Sequence, residues 1–103
     1  MSQELFTSEQ LSSYNGEQGK PVYLAVRGVV YDVTDGTSFY GPGGAYSVFA
    51  GRECSRALAK MAVKVSECTD EITDLTEKQL QTLESWIKRF QNKYPVVGRL
   101  SNA

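Results

Sequence analysis

The stretch "LTEKQLQTLESWIKRFQNKY", residues 75–94, constrains the fold of this chain more than any other. Leu80, Leu83, Ile87, Phe90 and Tyr94 recur at intervals of three and four, which places them on one face of an α-helix, with Trp86 flanking the stripe. Thr76 and Gln79 have the spacing of a capping box at its start, and Pro95 stops it. A helix with one long apolar stripe must lay that stripe against another element. With 103 residues there is room for one small domain, so the partner surface has to come from the same short chain.

Strands supply that surface. "PVYLAVRG" (21–28) and "VVYDV" (29–33) are rich in β-branched and aromatic residues, and they read as two antiparallel strands joined by a tight bend at Gly28. "TDG" (34–36) is a turn, and "VVGRL" (96–100) is a last short strand. Before the hairpin, Thr7 and Gln10 form another capping box, opening a short helix on which Leu11 and Tyr14 share a face. "NG" at 15–16 ends it, and "EQGK" is a loop. After the hairpin, "AYSVFAG" predicts a short helix ending at Gly51, and "ECSRALAKM" (53–61) predicts a helix with Ala57, Leu58 and Met61 as its stripe. Residues 64–74 are polar and read as a loop. The order of elements makes the chain an α+β protein, and residues 1–103 form a single domain with no repeat or linker.

Charge and composition exclude some function classes. Eleven basic residues against 12 acidic ones give a net charge of −1 with no basic block, so there is no nucleic-acid footprint. No apolar run approaches the length of a membrane span. The polar start "MSQELFTSEQLSS" has no apolar signal core, and Met1 fits an untrimmed beginning, so the chain reads as intracellular and soluble as given. Cys54 and Cys68 read as free structural thiols. The sequence contains no histidine to complete a zinc site.

One stretch is left without a role. "FYGPGGAY" (39–46) packs three glycines and a proline between aromatic residues. Gly41, Gly43 and Gly44 serve conformation, through positive φ or close backbone approach. Two tyrosines beside such a bend exceed what a turn needs. The run from Ser38 to Met61 has little sheet-forming content and buries little by itself, which suits a segment completed by a ligand.

"VYLAVRGVVYDVT", "SFYGPGGAYSVFAGRECSRALA" and "LTEKQLQTLESWIKRFQNKYPVVGRL" together resemble the membrane-associated progesterone receptor family of cytochrome b5-like haem/steroid-binding proteins, over about Phe6 to Leu100. The resemblance implies a cytochrome b5-like fold with a ligand cleft between short helices. Cytochrome b5 itself holds haem between two histidines, one of which opens a His-Pro-Gly-Gly turn. Here Gly41 precedes Pro42-Gly43-Gly44, and with no histidine, ligation by two histidines is impossible. In the related receptors the tyrosine matching Tyr46 ligates the iron, that matching Tyr40 supports the haem site, and the pair matching Lys93 and Tyr94 lies at the same pocket. A phenolate suits ferric iron. A free phenol has a pKa near 10, so a bound cation has to lower it. Lys93 would then face a haem propionate. Two departures stand out: many relatives have Pro at Ala45 and Asp-Ala at Glu53-Cys54. Neither removes a ligand atom, and the first predicts a looser turn before Tyr46.

Plainer readings stand beside these. Tyr46 and Tyr94 also fit as core aromatics, Tyr40 as packing, and Lys93 as a cation complementing the helix dipole. Leu83, Trp86 and Phe90 read as core. The Lys60/Lys64 and Asp70/Glu71 clusters read as solvated surface. Two functions follow from the resemblance. The first is a non-enzymatic module binding b-type haem through tyrosinate, acting in haem handling or in regulation of partner enzymes such as cytochromes P450. The second is a binding protein for a steroid or other small apolar ligand in the same cleft. Any association with endomembranes would come through partners.

Overall fold

The computed structural model describes residues 4–101. Four strands, β1 (Glu4–Phe6), β2 (Tyr23–Val26), β3 (Val29–Asp32) and β4 (Val96–Leu100), form one sheet in the order β1-β4-β3-β2. β2 and β3 are the expected antiparallel hairpin. Its two turn residues, Arg27 (φ 51°) and Gly28 (φ 80°), both have positive φ, as two-residue hairpins with the right twist require. β4 pairs antiparallel with β3 and parallel with β1. Strand β1 has no counterpart in the sequence reading. Three residues beginning with an exposed glutamate show no alternation from which a strand could be read.

The four helices are α1 (Ser8–Ser12), α2 (Thr37–Tyr40), α3 (Ser55–Lys60) and α4 (Glu77–Lys93). Both predicted capping boxes form. Thr7 Oγ1 accepts from Gln10 N–H at 3.0 Å, and Thr76 Oγ1 accepts from Gln79 N–H at 3.1 Å. "AYSVFAG" forms only a 3-10 turn over Ser47–Phe49, too short to bury a face. Polar loop 64–74 contains a 3-10 turn over Val65–Glu67, and Arg56 ties it back to α3 through Glu67 and Asp74.

The sheet is buried on both faces, and its alternation sorts side chains between two cores. Leu24, Val26, Tyr31 and Val33 point to the larger core, against Leu58, Leu83, Phe90 and Tyr94 from the helices. Ala25 and Val30 point to the smaller core, with Phe6 and Leu11. Two expected stripe residues leave the core. Leu80 sits at the outer end of α4, 37% exposed. Met61 is 63% exposed, because the chain turns left-handed there (φ 53°) and leaves the line of α3.

Glu53 explains how the hairpin turn is held. Its carboxylate accepts from Gly28 N–H at 2.8 Å and from Ser55 N–H at 2.8 Å, while Ser55 Oγ accepts from Arg27 N–H at 2.6 Å. Buried Cys54 Sγ lies 3.4 Å from the Ala25 carbonyl oxygen. The Glu53-Cys54 departure is therefore scaffold that locks the start of α3 onto the hairpin.

Candidate functional site

The glycine-rich stretch is a device for bringing two phenols together. Gly41, Pro42, Gly43 and Gly44 form a turn closed by Gly44 N–H donating to the Gly41 carbonyl at 2.9 Å. Proline second and a glycine at φ 83° third is the signature of a type II turn. The reversed chain then runs back beside α2, and Tyr46 N–H donates to the Phe39 carbonyl at 2.8 Å. A Cβ on Gly44 would collide with that same carbonyl. Two backbone hydrogen bonds thus hold the turn, and Ala45 is exposed beside it.

Tyr40 and Tyr46 consequently face each other, with ring centroids 6.0 Å apart. Tyr40 is buried and meets Tyr94 edge-on at 6.4 Å. Tyr94 comes from the end of α4, and its hydroxyl fits against Gly36: a Cβ on that glycine would lie 2.5 Å from the oxygen. The glycine of "TDG" therefore provides room as well as a turn. Tyr46 is half-buried, stacked on Phe49 at 5.7 Å and meeting Trp86 edge-on at 6.5 Å. Trp86 stacks on Phe90, which touches Tyr40, Tyr94 and Tyr31 in turn.

Two adjoining hollows open at Tyr46. One, of about 120 Å³, is lined by Tyr46, Phe49, Ala57, Leu58, Val63 and the Met61–Trp86 pair. The other, of about 340 Å³, is lined by Tyr46, Met61, Trp86, Arg89, Thr82 and Ser85. A larger hollow of about 460 Å³ lies elsewhere, beside α1 and residues 51–53 and 68–70. Its lining is mostly serine, threonine and charged side chains, so a flat apolar ligand finds no aromatic wall there.

Tyr40 lies deeper than Tyr46. Burial pushes the Tyr40 phenol well above its ordinary range, with smaller contributions from Tyr94 and other neighbours, and the Arg89 guanidinium only partly offsets it. Tyr40 is therefore held protonated, and Tyr46 is the half-buried phenol that lines both hollows. Arg89 sits 5.0 Å over the Trp86 ring, and the Lys93 ammonium lies 5.6 Å over the Tyr94 ring.

The structure brings all four expected residues, Tyr40, Tyr46, Lys93 and Tyr94, to one end of α4. Tyr40, Tyr46 and Tyr94 form one aromatic cluster, while Lys93 is exposed at its edge and lines neither hollow. Three residues at the mouth are additions to the sequence reading. Trp86, expected in the core, is half-buried and exposes its indole, whose Nε1–H donates to Met61 Sδ at 3.4 Å. Arg89 carried a readable signal: Trp86, Arg89 and Lys93 stand at i, i+3 and i+7, one cationic-aromatic ridge beside the apolar stripe. Met61 carried none, because its placement depends on the left-handed end of α3.

The arrangement is a half-buried phenol beside flat aromatic walls, with a guanidinium at the rim, in a chain without histidine. Residues 7–101 match the family model described as a cytochrome b5-like heme/steroid binding domain. The chain is 53% identical over 96 residues to "Probable steroid-binding protein 3" of Arabidopsis thaliana, covering 92% of this chain and 96% of that protein. It is 42% identical over 102 residues to a cytochrome P450 regulator of Schizosaccharomyces pombe, covering 92% of this chain and 61% of that longer one. Several membrane-associated relatives are longer still, and the chain spans 36% to 45% of their length. A solved structure from Arabidopsis thaliana, described as having a cytochrome b5-like fold, superposes with a TM-score of 0.87 at 51% identity, covering 97% of this chain and 93% of that one. The α+β architecture is therefore cytochrome b5-like, as the resemblance implied. No helix among the described residues is long and apolar enough to cross a membrane.

Proposed function

The chain belongs to the cytochrome b5-like haem/steroid-binding family, in its membrane-associated progesterone receptor branch, and from that membership we propose that it is a haem-binding module whose iron ligand is the Tyr46 phenolate. The observation that carries this reading is the position of Tyr46: a half-buried phenol on the wall of an aromatic hollow rimmed by Arg89. A bound ferric haem would supply the positive charge that stabilises a phenolate there. The protein's own groups have separable roles. Phe49 and Trp86 present flat apolar surface that keeps water from the ligand face. Tyr40, held protonated by burial, supports the site as a hydrogen-bonding group. Tyr94 backs Tyr40, and Lys93 offers a cation at the edge.

A binding module fits these features better than an enzyme, because no nucleophile-base pair faces the hollows. Similarity to a cytochrome P450 regulator supports a role in haem handling or in regulation of such partner enzymes. The two adjoining hollows at Tyr46, the smaller of them walled by apolar side chains, together support a steroid or other small apolar ligand as the second reading.

Titration of the purified protein with ferric haem, followed by absorbance and electron paramagnetic resonance, tests the first reading. One-to-one binding with a high-spin spectrum and a tyrosinate charge-transfer band is expected. A low-spin spectrum with two nitrogen ligands would overturn it. Steroid binding without haem binding would replace it with the second.

A further inference from the structure

We propose that Arg89 is the carboxylate anchor of this site and the residue that makes it prefer a ligand bearing carboxylates over a neutral one of similar shape. The proposal rests on the haem reading above and goes beyond it, because the sequence reading gives the propionate contact to Lys93.

Three observations carry it. First, Arg89 lines the 340 Å³ hollow with Tyr46, whereas Lys93, one turn further along α4, lines neither hollow. Second, Arg89 is not neutralised. Arg27 pairs with Glu84, and Arg56 pairs with Glu67 and Asp74, but among the described residues no carboxylate lies within 4.0 Å of the Arg89 guanidinium. Its partner is instead the Trp86 ring, 5.0 Å away. Third, that cation–π contact places a planar fork of donors beside an apolar wall. Arginine in such a setting pairs with a carboxylate through two parallel hydrogen bonds and loses little conformational freedom in doing so, which lysine cannot match. A flat ligand seated against Tyr46 and Trp86 with an acidic edge would meet this fork, and a neutral sterol would meet a cation with nothing to pair.

The test compares ferric haem with its dimethyl ester, in which both propionates are capped, on wild type and Arg89→Gln, by equilibrium titration. Wild type is expected to bind haem about tenfold more tightly than the ester, the size of one charge-assisted contact. Arg89→Gln should lose that preference, binding haem about tenfold more weakly while the ester affinity stays put. A purely structural role for Arg89, packing on Trp86, would weaken both ligands equally and would overturn the proposal. So would an unchanged haem affinity in Arg89→Gln. If wild type binds the ester as tightly as haem, the carboxylate contact fails and the haem reading survives. If it binds neither, both fall.

Discussion

The molecule holds two clusters of phenols on opposite faces of its sheet. Tyr14, Tyr23 and Phe6 form one, and Tyr40, Tyr46 and Tyr94 with Phe49, Trp86 and Phe90 form the other. In the first, Tyr14 and Tyr23 stack at 4.4 Å with planes 12° apart, and Phe6 closes both edge-on at 5.8 Å. Its surroundings are anionic: burial raises the Tyr23 phenol, and the carboxylates of Asp32 and Glu4 push it further. The second is looser, with Tyr40 and Tyr46 at 6.0 Å, and it opens into two hollows. Its surroundings are cationic, with Arg89 and Lys93 at the rim. The number of tyrosines therefore does not mark a site. What sets the second cluster apart is a half-buried phenol with space and cations beside it.

The largest effects should come from deleting the ring at the centre of each cluster. Phe90→Ala removes a fully buried ring that touches Tyr31, Tyr40, Trp86 and Tyr94, and it should cost about 3–5 kcal/mol of stability in urea denaturation. Phe6→Ala should cost a comparable amount on the other face. The two should part company in haem titrations run where both variants are folded. Phe90→Ala should weaken haem, and Phe6→Ala should leave it unchanged. Equal weakening by both would erase the distinction between the clusters.

Next in size is the proposed iron ligand. Tyr46→Phe keeps the ring and should lower haem affinity by about a hundredfold, roughly 3 kcal/mol, with loss of the charge-transfer band. Tyr14→Phe makes the same chemical change in the anionic cluster and should alter neither. If Tyr46→Phe binds haem with wild-type affinity and spectrum, the assignment of the ligand is wrong.

Much of this was legible in the chain because local rules and tertiary packing agree there. α4, both capping boxes, the hairpin and strand β4 follow from periodicity and turn chemistry. The pairing of Tyr40 with Tyr46 was visible only through the family resemblance, since sequence spacing alone does not say that the Gly41–Gly44 turn folds the second tyrosine onto the first. Strand β1 was hidden because its formation depends on pairing with β4, not on its own pattern. Trp86 packs against the core as expected, but its second place on the cavity wall, like that of Arg89, was passed over for a related reason. On a helix that carries two duties, a side chain beside the core stripe can close a cavity, and helical spacing does not distinguish that from filling a core.

Tyr40 gives a smaller, pH-dependent effect. Its folded-state pKa is raised above the unfolded one, chiefly by burial. Below about pH 10 both states keep the proton and its contribution is fully present. Above that the unfolded chain ionises first, so stability falls as pH rises towards the folded pKa. Tyr23, Tyr31 and Cys54 are shifted the same way, so the alkaline loss has several contributors. Tyr40→Phe should make the decline above pH 10 shallower, more than Tyr23→Phe does, as read from denaturation midpoints across pH 8–11. At neutral pH, Tyr40→Phe and Lys93→Ala should each cost haem binding about 1–2 kcal/mol without unfolding the protein. Identical midpoint-against-pH curves for wild type and Tyr40→Phe would show that this phenol is not the group held protonated.

The smallest effect concerns strain stored on one side only. Among the described residues, three non-glycine positions have positive φ, Gln18, Arg27 and Met61, and of these only Met61 lines the hollows at Tyr46. It follows α3, where Met61 N–H donates to the Leu58 carbonyl at 3.2 Å and Ala62 N–H to the Ala57 carbonyl at 2.9 Å. That is the pattern of a helix end normally finished with glycine. A side chain in this conformation costs roughly 1 kcal/mol relative to glycine. Here the side chain is the sulfur acceptor for the Trp86 indole, at the mouth of the site. Met61→Gly should therefore raise stability by about 0.5–1 kcal/mol while freeing the indole N–H to exchange faster. Met61→Ala keeps the strain and loses the sulfur, so it should free the indole without the gain. The two variants separate backbone strain from the contact it supports, and amide and indole exchange read both at once. Should Met61→Gly prove less stable than Met61→Ala, the left-handed turn carries no strain, and the aromatic site is no more stressed than the closed cluster behind the sheet.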